Sequence, residues 1–600
     1  QTAPVIKLPA EATEDDHLRL LGILNSSTAC FWLKQVCQNK GSTVDMQGAR
    51  QRTAAFEDFY QFNATKLKEF PVPQHYSLAL VRELNRLASA FAKHRPEYVL
   101  NNLSSLNDLP VNSSREAWIR VLRNMISLQE ELDWECYRLY GLIEEELALP
   151  ADEVPGVKLG ERAFEIVLAR RMAAGEEKTE WFERHGSTPI TEIPTHWPEP
   201  YRKLVERRIQ VIQDNANIRL IERPEYKRRW NLEPWDEQLV RALREWLLRR
   251  LETYFFGGER MAEDPVTPSE AGGRDDHHEA HEGHEVGRER EYGKPSVLGS
   301  GGEGTGNRTP REFASSNPES AESTSLRDLR GCPSSPSKDP VAALRAAWAG
   351  GTQPTVVSTH RLAECARADA DFMQVAELYR KRPDFDVAAL VAELVEEESV
   401  PFLPVQRYKE SGLRHRLVWE EVWDLQRRED AVEAEVRASQ PTDDEQALAA
   451  EIRQRQREVV GEIPVPPKYK SADFKKTTYW RLRGKLDVPK ERWVSFPGCE
   501  WESDPSLPIA WAGWDHLQQA QALAAYLEDL KGAGASDAKQ LLVLAGLQQL
   551  VPWLLQWHND VHPDFGMRLG DYFRAHVRDE LQRLGKTEAE LKILAYGPGI

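Results

Sequence analysis

The chain has 600 residues, of which 40% are hydrophobic and 29% are charged, and its formal net charge at pH 7 is -18. That length has room for two or three cores, while the acidic total excludes a chain that attracts DNA over its whole surface. The six cysteines form no Cys-x-x-Cys pair, which argues against a structural zinc site and against a secreted disulfide framework. We therefore expect a soluble protein of the reducing cytoplasm that does not contact a membrane.

The first predicted elements are a pair of helices within residues 1–75. Residues 20–41 read LLGILNSSTACFWLKQVCQNKG, in which two apolar clusters flank Asn25, Ser26 and Ser27. These three residue types cap helices and form turns, so the two clusters are expected to pack as a helix pair. Residues 67–73, LKEFPVP, predict an extended exit, because proline disfavours helical backbone in the residue before it.

A helical region follows over residues 76–150, and its most distinctive stretch is LDWECYRLYGL at residues 132–142. Leu132, Cys136 and Tyr140 recur at helical spacing, which predicts one apolar stripe. Gly141 stands where a left-handed cap would end the helix. The pattern alone therefore predicts an amphipathic helix that ends at a glycine.

Residues 151–256 predict two long helices, near 200–217 and 235–255. Nine basic residues between 201 and 230 could bind phosphate. We favour the solvated face of an amphipathic helix instead, since an apolar stripe already marks the opposite face. That stripe consists of Val205, Ile209, Ile212 and Ala216.

Residues 257–339 predict a disordered, low-complexity insertion, because they are rich in Gly, Ser, Glu, Pro and Arg and nearly free of aromatic residues. The glycine-rich residues 299–306 have no strand before them and no helix after them, so a nucleotide-binding loop is not expected. The same insertion carries a histidine cluster. Adventitious metal binding is the favoured interpretation, and no functional metal is expected, because low-complexity sequence supplies no packed surroundings for the ligands. The cluster consists of His277, His278, His281 and His284.

Helical patterns return in residues 340–460, with an extended stretch at 402–408 and a charged helix near 416–438. Residues 461–600 start extended and end in packed helices, including an apolar helix pair at 541–557 whose glutamines and proline exclude a membrane span. The predicted fold class is mainly α with minor β (α+β). The chain is expected to be multidomain, with long helices, the disordered insertion and a compact helical C-terminal domain.

Residues 466–493 form a basic and aromatic segment. It contains nine basic and three acidic residues, with five aromatic residues between them. One interpretation is a phosphate-binding surface on which an exposed aromatic ring stacks against an unpaired base. The other is a solvated basic face whose aromatic residues are buried. The candidate DNA-binding residues of this segment are Lys468, Lys470, Lys475, Lys476, Arg481, Arg483 and Lys485.

Several of these stretches, taken in order, resemble the carboxy-terminal half of PglX, the adenine-specific DNA methyltransferase family of type 2 bacteriophage-exclusion (BREX) systems. Residues 20–41 and 67–73 resemble the closing part of the family's target-recognition domain, and LDWECYRLYGL resembles a signature that follows its catalytic core. The resemblance spares residues 256–339. Its remaining motifs are VPFLPVQRYKESGLRHRLVWEEVWDLQRRED (400–430), IPVPPKYKSADF (463–474), YWRLRGKLDVPKERWVSFPG (479–498) and AWAGWDHLQQA (510–520).

The resemblance implies the DNA-recognition and C-terminal portion of an enzyme that uses S-adenosylmethionine to methylate adenine in double-stranded DNA, alongside other phage-defence subunits. Lys34, Gln35, Arg50 and Arg52 are candidates for base reading by side-chain type. The family's Asn-Pro-Pro-Tyr-type tetrapeptide and a glycine-rich donor loop do not occur in the sequence. We therefore assign no catalytic, cofactor-binding or metal-binding residue.

The chain begins with Gln1, which suits a fragment, a split gene product or a processed chain whose catalytic half lies elsewhere. The alternative function is a scaffold without enzymatic activity in a phage-defence complex, whose 18 tryptophans would dock other subunits if they were exposed.

Overall fold

The computed structural model describes residues 6–41, 54–73, 78–102, 111–230, 232–255, 354–439, 444–562 and 566–598. Helices dominate these residues, and their strands are only two to four residues long. The predicted fold class, mainly α with minor β, is confirmed. The predicted disordered insertion, with its histidine cluster, lies outside the described residues.

The first half of the chain is helical apart from one short antiparallel strand pair. Its helices are α1 (Glu14–Leu24), α2 (Ser27–Val36), α3 (Ala64–Lys68), α4 (Ala79–Lys93), α5 (Pro96–Asn101), α6 (Val111–Leu139), α7 (Ala163–Ala173), α8 (Trp181–Arg184), α9 (Glu199–Asp214), α10 (Ala216–Ile221) and α11 (Trp235–Thr253). The strands are β1 (Gln38–Gly41) and β2 (Phe59–Gln61).

The helices α1 and α2 form the predicted pair. Ser26 caps α2, and its hydroxyl accepts a hydrogen bond from the Ala29 amide at 3.2 Å. The extended exit that follows Phe70 lies against the end of α6, where the Tyr140 hydroxyl donates to the Pro71 carbonyl at 2.7 Å. This contact fastens the end of the amino-terminal segment to the chain just after α6.

Helix α6 ends where its sequence predicts. Gly141 has a φ of +66°, which glycine adopts without steric penalty, and the Leu142 amide donates to the Tyr137 carbonyl at 2.9 Å to close the cap. The expectation of a single buried stripe is wrong, because every residue from 125 to 137 is buried. This helix is central to the first half, and its charged side is covered by other elements.

The second half combines one small sheet with further helices. Its strands are β3 (Val357–Ser358), β4 (Ser399–Pro401), β5 (Trp493–Ser495) and β6 (Pro508–Trp511). Its helices are α12 (Thr359–Ala368), α13 (Ala370–Arg380), α14 (Val387–Glu398), α15 (Pro404–Arg407), α16 (Glu410–Ser439), α17 (Glu445–Val459), α18 (Thr477–Arg483), α19 (His516–Gly532), α20 (Asp537–Trp557), α21 (Leu569–Leu584) and α22 (Glu588–Tyr596).

The four strands of this sheet run in the order β3-β6-β5-β4, and only the β4–β5 pair is parallel. Val400 lies opposite Val494 in that pair, and Val494 lies opposite Ala510 in the next. All three side chains are buried. Because β4 precedes α15 and α16 while β5 follows the basic and aromatic segment, the sheet fixes the chain on both sides of the candidate site.

Two local predictions for the second half are wrong. The stretch at 402–408 is not extended throughout, because Pro404 starts the short helix α15, a position in which proline loses no helical hydrogen bond. The apolar stretch at 541–557 is one helix rather than two, since α20 continues through Pro552. Its leucines Leu544, Leu547 and Leu554 are buried, so packing retains the helix around the proline.

Candidate nucleic-acid interface

Four of the five aromatic residues of the basic and aromatic segment are buried, and the fifth, Trp480, is partly buried. Tyr469 and Phe474 pack against Tyr408, with ring centroids 5.1 and 5.0 Å from it, and all three rings are buried. Trp493 and Tyr479 are also buried. A buried ring cannot stack on a base, so these residues support the basic surface from below, as in the second of the two interpretations.

The lysines of the segment stay on the surface and are drawn together by main-chain hydrogen bonds. The Tyr469 amide donates to the Lys485 carbonyl at 3.0 Å, which places Lys485 beside Lys468 and Lys470. An antiparallel bridge joins Tyr408 to Phe474. We call the resulting group of exposed side chains the lysine surface, and it consists of Lys409, Lys468, Lys470, Lys475 and Lys485.

Lys409 is a member of this surface that sequence reasoning missed. The Lys409 amide donates to the Asp473 carbonyl at 2.8 Å, and the Lys475 amide donates to the Arg407 carbonyl at 3.0 Å. The two lysines therefore lie on neighbouring chain segments although 66 positions separate them in the sequence. Only the bridge reveals this, since a lone lysine before a charged helix carries no distinguishing signal.

The charge of the lysine surface is not neutralised within the part of the chain that the structure describes, where its five members form no ion pair. Two neighbouring candidates differ. Lys476 lies 2.9 Å from the Glu396 carboxylate, and Arg481 donates to the Glu397 carbonyl at 2.7 Å, although both side chains remain more than half exposed. We place them at the edge of the surface.

Arg483 points away from the surface into a buried ionic cluster. It pairs with Glu491 and lies 3.6 Å from Asp487, which also pairs with Arg416 at 2.9 Å and with Arg407 at 3.6 Å. Burial alone would raise the pKa of Asp487, but the three arginines together hold it below its ordinary value. Arg483 therefore stabilises the turn that follows α18 and is not placed to contact a ligand.

The candidates in the amino-terminal segment are also engaged with the chain itself. Lys34 donates to the Glu225 carbonyl at 2.6 Å and covers the Tyr60 ring at 5.1 Å, and burial lowers its pKa. Gln35 donates to the Tyr226 hydroxyl at 3.2 Å. These contacts fasten α2 to the loop after α10. Arg50 and Arg52 lie outside the described residues.

The strand pair β1–β2 presents polar side chains that sequence reasoning did not single out. Gln38 lies directly opposite Gln61, and both are exposed. Phe59, on the same face as Gln61, is 55% exposed. Sequence patterns offer little signal here, because strands this short show no apolar alternation.

The charged side of α6 is covered by basic residues from the segment at 201–230. Lys227 lies among three carboxylates, at 3.1 Å from Glu130, 2.8 Å from Asp133 and 2.8 Å from Glu222. Burial alone would lower the pKa of Lys227, but the three carboxylates raise it. Burial raises the pKa of Glu130 to about 7 despite the nearby ammonium group.

A second buried pair joins α9 to α6. Arg208 lies 2.5 Å from Glu131 and also donates to the Leu147 carbonyl. The interpretation of the 201–230 cluster as a solvated face is therefore wrong for Arg208 and Lys227. Their partners lie on the charged side of α6, and this explains why that side is buried.

The Asp133 carboxylate connects this ionic cluster to the amino-terminal segment. It accepts hydrogen bonds from the Ser27 amide at 2.7 Å and the Ser27 hydroxyl at 2.6 Å, at the start of α2. A carboxylate at this position also stabilises the helix dipole. The LDWECYRLYGL stretch thus anchors residues 20–36 to α6. We call this stretch the joint.

Among the described residues, no long parallel sheet with a glycine-rich turn is present for the methyl donor. A donor loop needs a glycine-rich turn after a strand of a parallel sheet, whereas the single parallel pair here is three residues long. Gly498 follows β5, but a Cβ atom there would lie 3.2 Å from Leu542, so this glycine packs against α20. In the same described ranges, no group of three or more His, Cys, Asp or Glu side chains could hold a metal ion. Nor is any helix of the described chain both long and apolar enough to cross a membrane.

Comparison with known families adds to this picture. Residues 125–272 and 341–597 match the family described as Domain of unknown function (DUF7008), which is more than half of the chain. The chain belongs to the DUF7008 family. The matched residues include the LDWECYRLYGL stretch, the lysine surface, and the two buried ionic clusters around Lys227 and Asp487.

One curated relative extends the similarity beyond the family match. The chain is 40% identical to the adenine-specific methyltransferase PglX of Streptomyces coelicolor over 599 aligned residues. The alignment covers 99% of the chain. The chain spans 40% of that relative's length. No solved structure matches the chain.

Proposed function

We propose that the chain is the DNA-recognition and C-terminal portion of a site-specific adenine N6 DNA methyltransferase in a BREX-type phage-defence system. The observation that carries this proposal is the lysine surface, whose five ammonium groups have no ion-pair partner in the described chain. It is supported by the similarity to a relative whose name is adenine-specific methyltransferase. In this proposal the ligand is double-stranded DNA, and other phage-defence subunits are the protein partners.

Methyl transfer belongs, in this proposal, to a catalytic domain outside these 600 residues. This part of the proposal is supported by the sequence, which has no Asn-Pro-Pro-Tyr-type tetrapeptide, and by the described parallel strand pair, which is only three residues long. S-adenosylmethionine would therefore be bound by the complete enzyme and not by this chain. The task of this chain is to bind and position DNA.

The lysine surface suits contacts with the phosphate backbone. Lysine is a flexible point charge, so five of them over a rigid aromatic core can follow a row of phosphates without reading bases. Such contacts release condensed counterions, and affinity then falls steeply with salt. The acidic total of -18 keeps the rest of the molecule from competing for the DNA.

The test is a fourfold substitution of Lys468, Lys470, Lys475 and Lys485 by alanine in the full chain, with binding to duplex DNA measured by fluorescence anisotropy from 50 to 300 mM salt. We expect weaker binding to every duplex and a slope of log affinity against log salt that is shallower by about 0.9 for each phosphate that the variant no longer neutralises. All four side chains are exposed, so the fold should remain intact.

The matched control carries four alanines at exposed lysines elsewhere, namely Lys93, Lys158, Lys178 and Lys592. It changes the net charge by the same amount, so it separates a local phosphate site from general electrostatic attraction. If affinity and slope fall equally in both variants, the lysine surface is not the binding site.

The exposure of the tryptophan side chains gives the scaffold alternative little support. Among the described tryptophans, Trp557 alone is strongly exposed, at 58% of its surface. Most of the others are buried or partly buried, so they build cores and do not offer a large docking face. Salt dependence separates the two functions, because an apolar docking surface is insensitive to salt.

A further inference from the structure

The strand pair β1–β2 is a short ribbon, and the face that carries Gln38 and Gln61 is exposed. Residues directly opposite each other in an antiparallel pair point to the same side, so Gln38 and Gln61 share a face. Phe59 lies two positions before Gln61 and joins them. Lys40 belongs there too, since its ammonium donates to the Gln38 side-chain oxygen at 2.9 Å. All four side chains are exposed.

The opposite face holds the ribbon in place. Asn39 donates to the Asp58 carboxylate at 2.8 Å, and Tyr60 lies beneath the Lys34 ammonium, which is itself bound to the Glu225 carbonyl. This anchoring leaves the outer face presented to solvent. The Phe59 ring is 55% exposed on this face, so it is free to make an apolar contact with a ligand.

The outer face has the chemistry of major-groove recognition. A two-stranded ribbon fits the major groove, a glutamine amide can bind both N6 and N7 of adenine, and an aromatic ring packs against the thymine methyl group. The Gln61 amide makes no hydrogen bond within the described residues, so both of its polar atoms can be used. Lys40, with the exposed Lys68 of α3, supplies positive charge for the neighbouring phosphates.

We infer that this ribbon reads an A·T base pair in the major groove, with Gln61 bound to adenine, Gln38 beside it and Phe59 against the thymine methyl group. The inference rests on the proposed function, because it requires that the chain bind DNA. The ribbon would recognise the DNA bases, whereas the lysine surface would contact only the phosphate backbone of the DNA.

The test is selection of bound sequences from a randomised duplex pool by the full chain, by Gln61→Ala and by Gln61→Glu. The wild-type chain should enrich a motif with an A·T pair that Gln61→Ala no longer selects, with a loss of discrimination of roughly 5- to 150-fold at that pair. Gln61→Glu should favour cytosine there, because a carboxylate accepts from the cytosine amino group. Affinity for unrelated duplexes should stay unchanged for Gln61→Ala.

Gln582→Ala is the matched control, since Gln582 is exposed on α21, away from the ribbon. If the wild-type chain enriches a motif and the Gln61 variants enrich the same one, or if the wild-type chain binds DNA and enriches none, the ribbon does not read sequence and the proposed function still stands. If the wild-type chain binds no DNA, the proposed function fails and the ribbon inference fails with it.

Discussion

The Asp133 carboxylate binds two separate parts of the chain to α6. It accepts from Ser27 at the start of α2 and pairs with Lys227 at 2.8 Å. The side chain is 1% exposed, so water does not replace a missing partner. A buried charge without its partner is costly, so a change at Asp133 should destabilise the joint.

Asp133→Asn should lower the free energy of unfolding by about 3 kcal/mol. The asparagine amide cannot accept hydrogen bonds from Ser27 and also neutralise the buried Lys227 ammonium group. Urea denaturation measures the change. The control is Asp579→Asn, whose ion pair with Arg578 is on the surface and should change stability by less than about 0.5 kcal/mol. Equal stability of the two variants would show that the joint does not hold the fold.

Glu130 gives a prediction about pH. Burial raises its pKa to about 7 from an ordinary value of 4.5, so between these pH values the folded protein holds a proton that the unfolded chain has released. The contribution of Glu130 to the free energy of unfolding is therefore fully present below pH 4.5 and is lost as the pH rises through 7. The total loss is on the order of 3 kcal/mol.

The variant Glu130→Gln removes this titration, so its unfolding free energy should fall less than that of the wild type between about pH 5 and pH 8. Subtracting the two curves cancels the contributions of the other titrating groups. A difference that does not depend on pH would contradict the assigned protonation of Glu130.

At the scale of elements, α6 shows what a sequence can and cannot reveal. Its end was predictable, because a glycine after a helical stripe indicates a left-handed cap and Gly141 has a φ of +66°. Its burial was not predictable, because Glu131 and Asp133 resemble a solvated face until Arg208 and Lys227 are brought to them from 77 and 94 positions away.

The candidate site was likewise predictable only in part. The concentration of basic residues identified the segment, but which of them face solvent depends on two contacts, the Tyr408–Phe474 bridge and the ionic cluster that takes Arg483 inward. Lys409 joins the surface through the same bridge. Such pairings link distant positions, and no local periodicity encodes them.

Gly141→Ala tests the cap of α6. A Cβ atom there meets nothing within 4 Å, so the whole cost is backbone strain, about 1 kcal/mol of unfolding free energy. Gly532→Ala is the control, since its Cβ atom also meets nothing and its φ is ordinary. That helical position should gain up to about 1 kcal/mol. Thermal denaturation should therefore move the two variants in opposite directions, and a shared sign would contradict the cap.

At the scale of the whole molecule, the distribution of charge matters more than its total. The chain carries -18 overall, yet the five exposed lysines of the lysine surface lie around one buried aromatic core and form no ion pair within the described residues. A basic surface on an acidic protein binds a polyanion in one orientation, because the remaining surface repels it. This arrangement is consistent with the proposal that DNA is positioned for a catalytic domain located elsewhere.

The affinity of the unmodified 600-residue chain for duplex DNA, measured as a function of salt, tests the proposed function most directly. We predict a log–log slope of about -3 to -4.5, because each lysine of the surface that contacts a phosphate contributes roughly 0.9. A slope near zero, or no binding at about 50 mM salt, would contradict the proposal and favour a scaffold that docks other proteins.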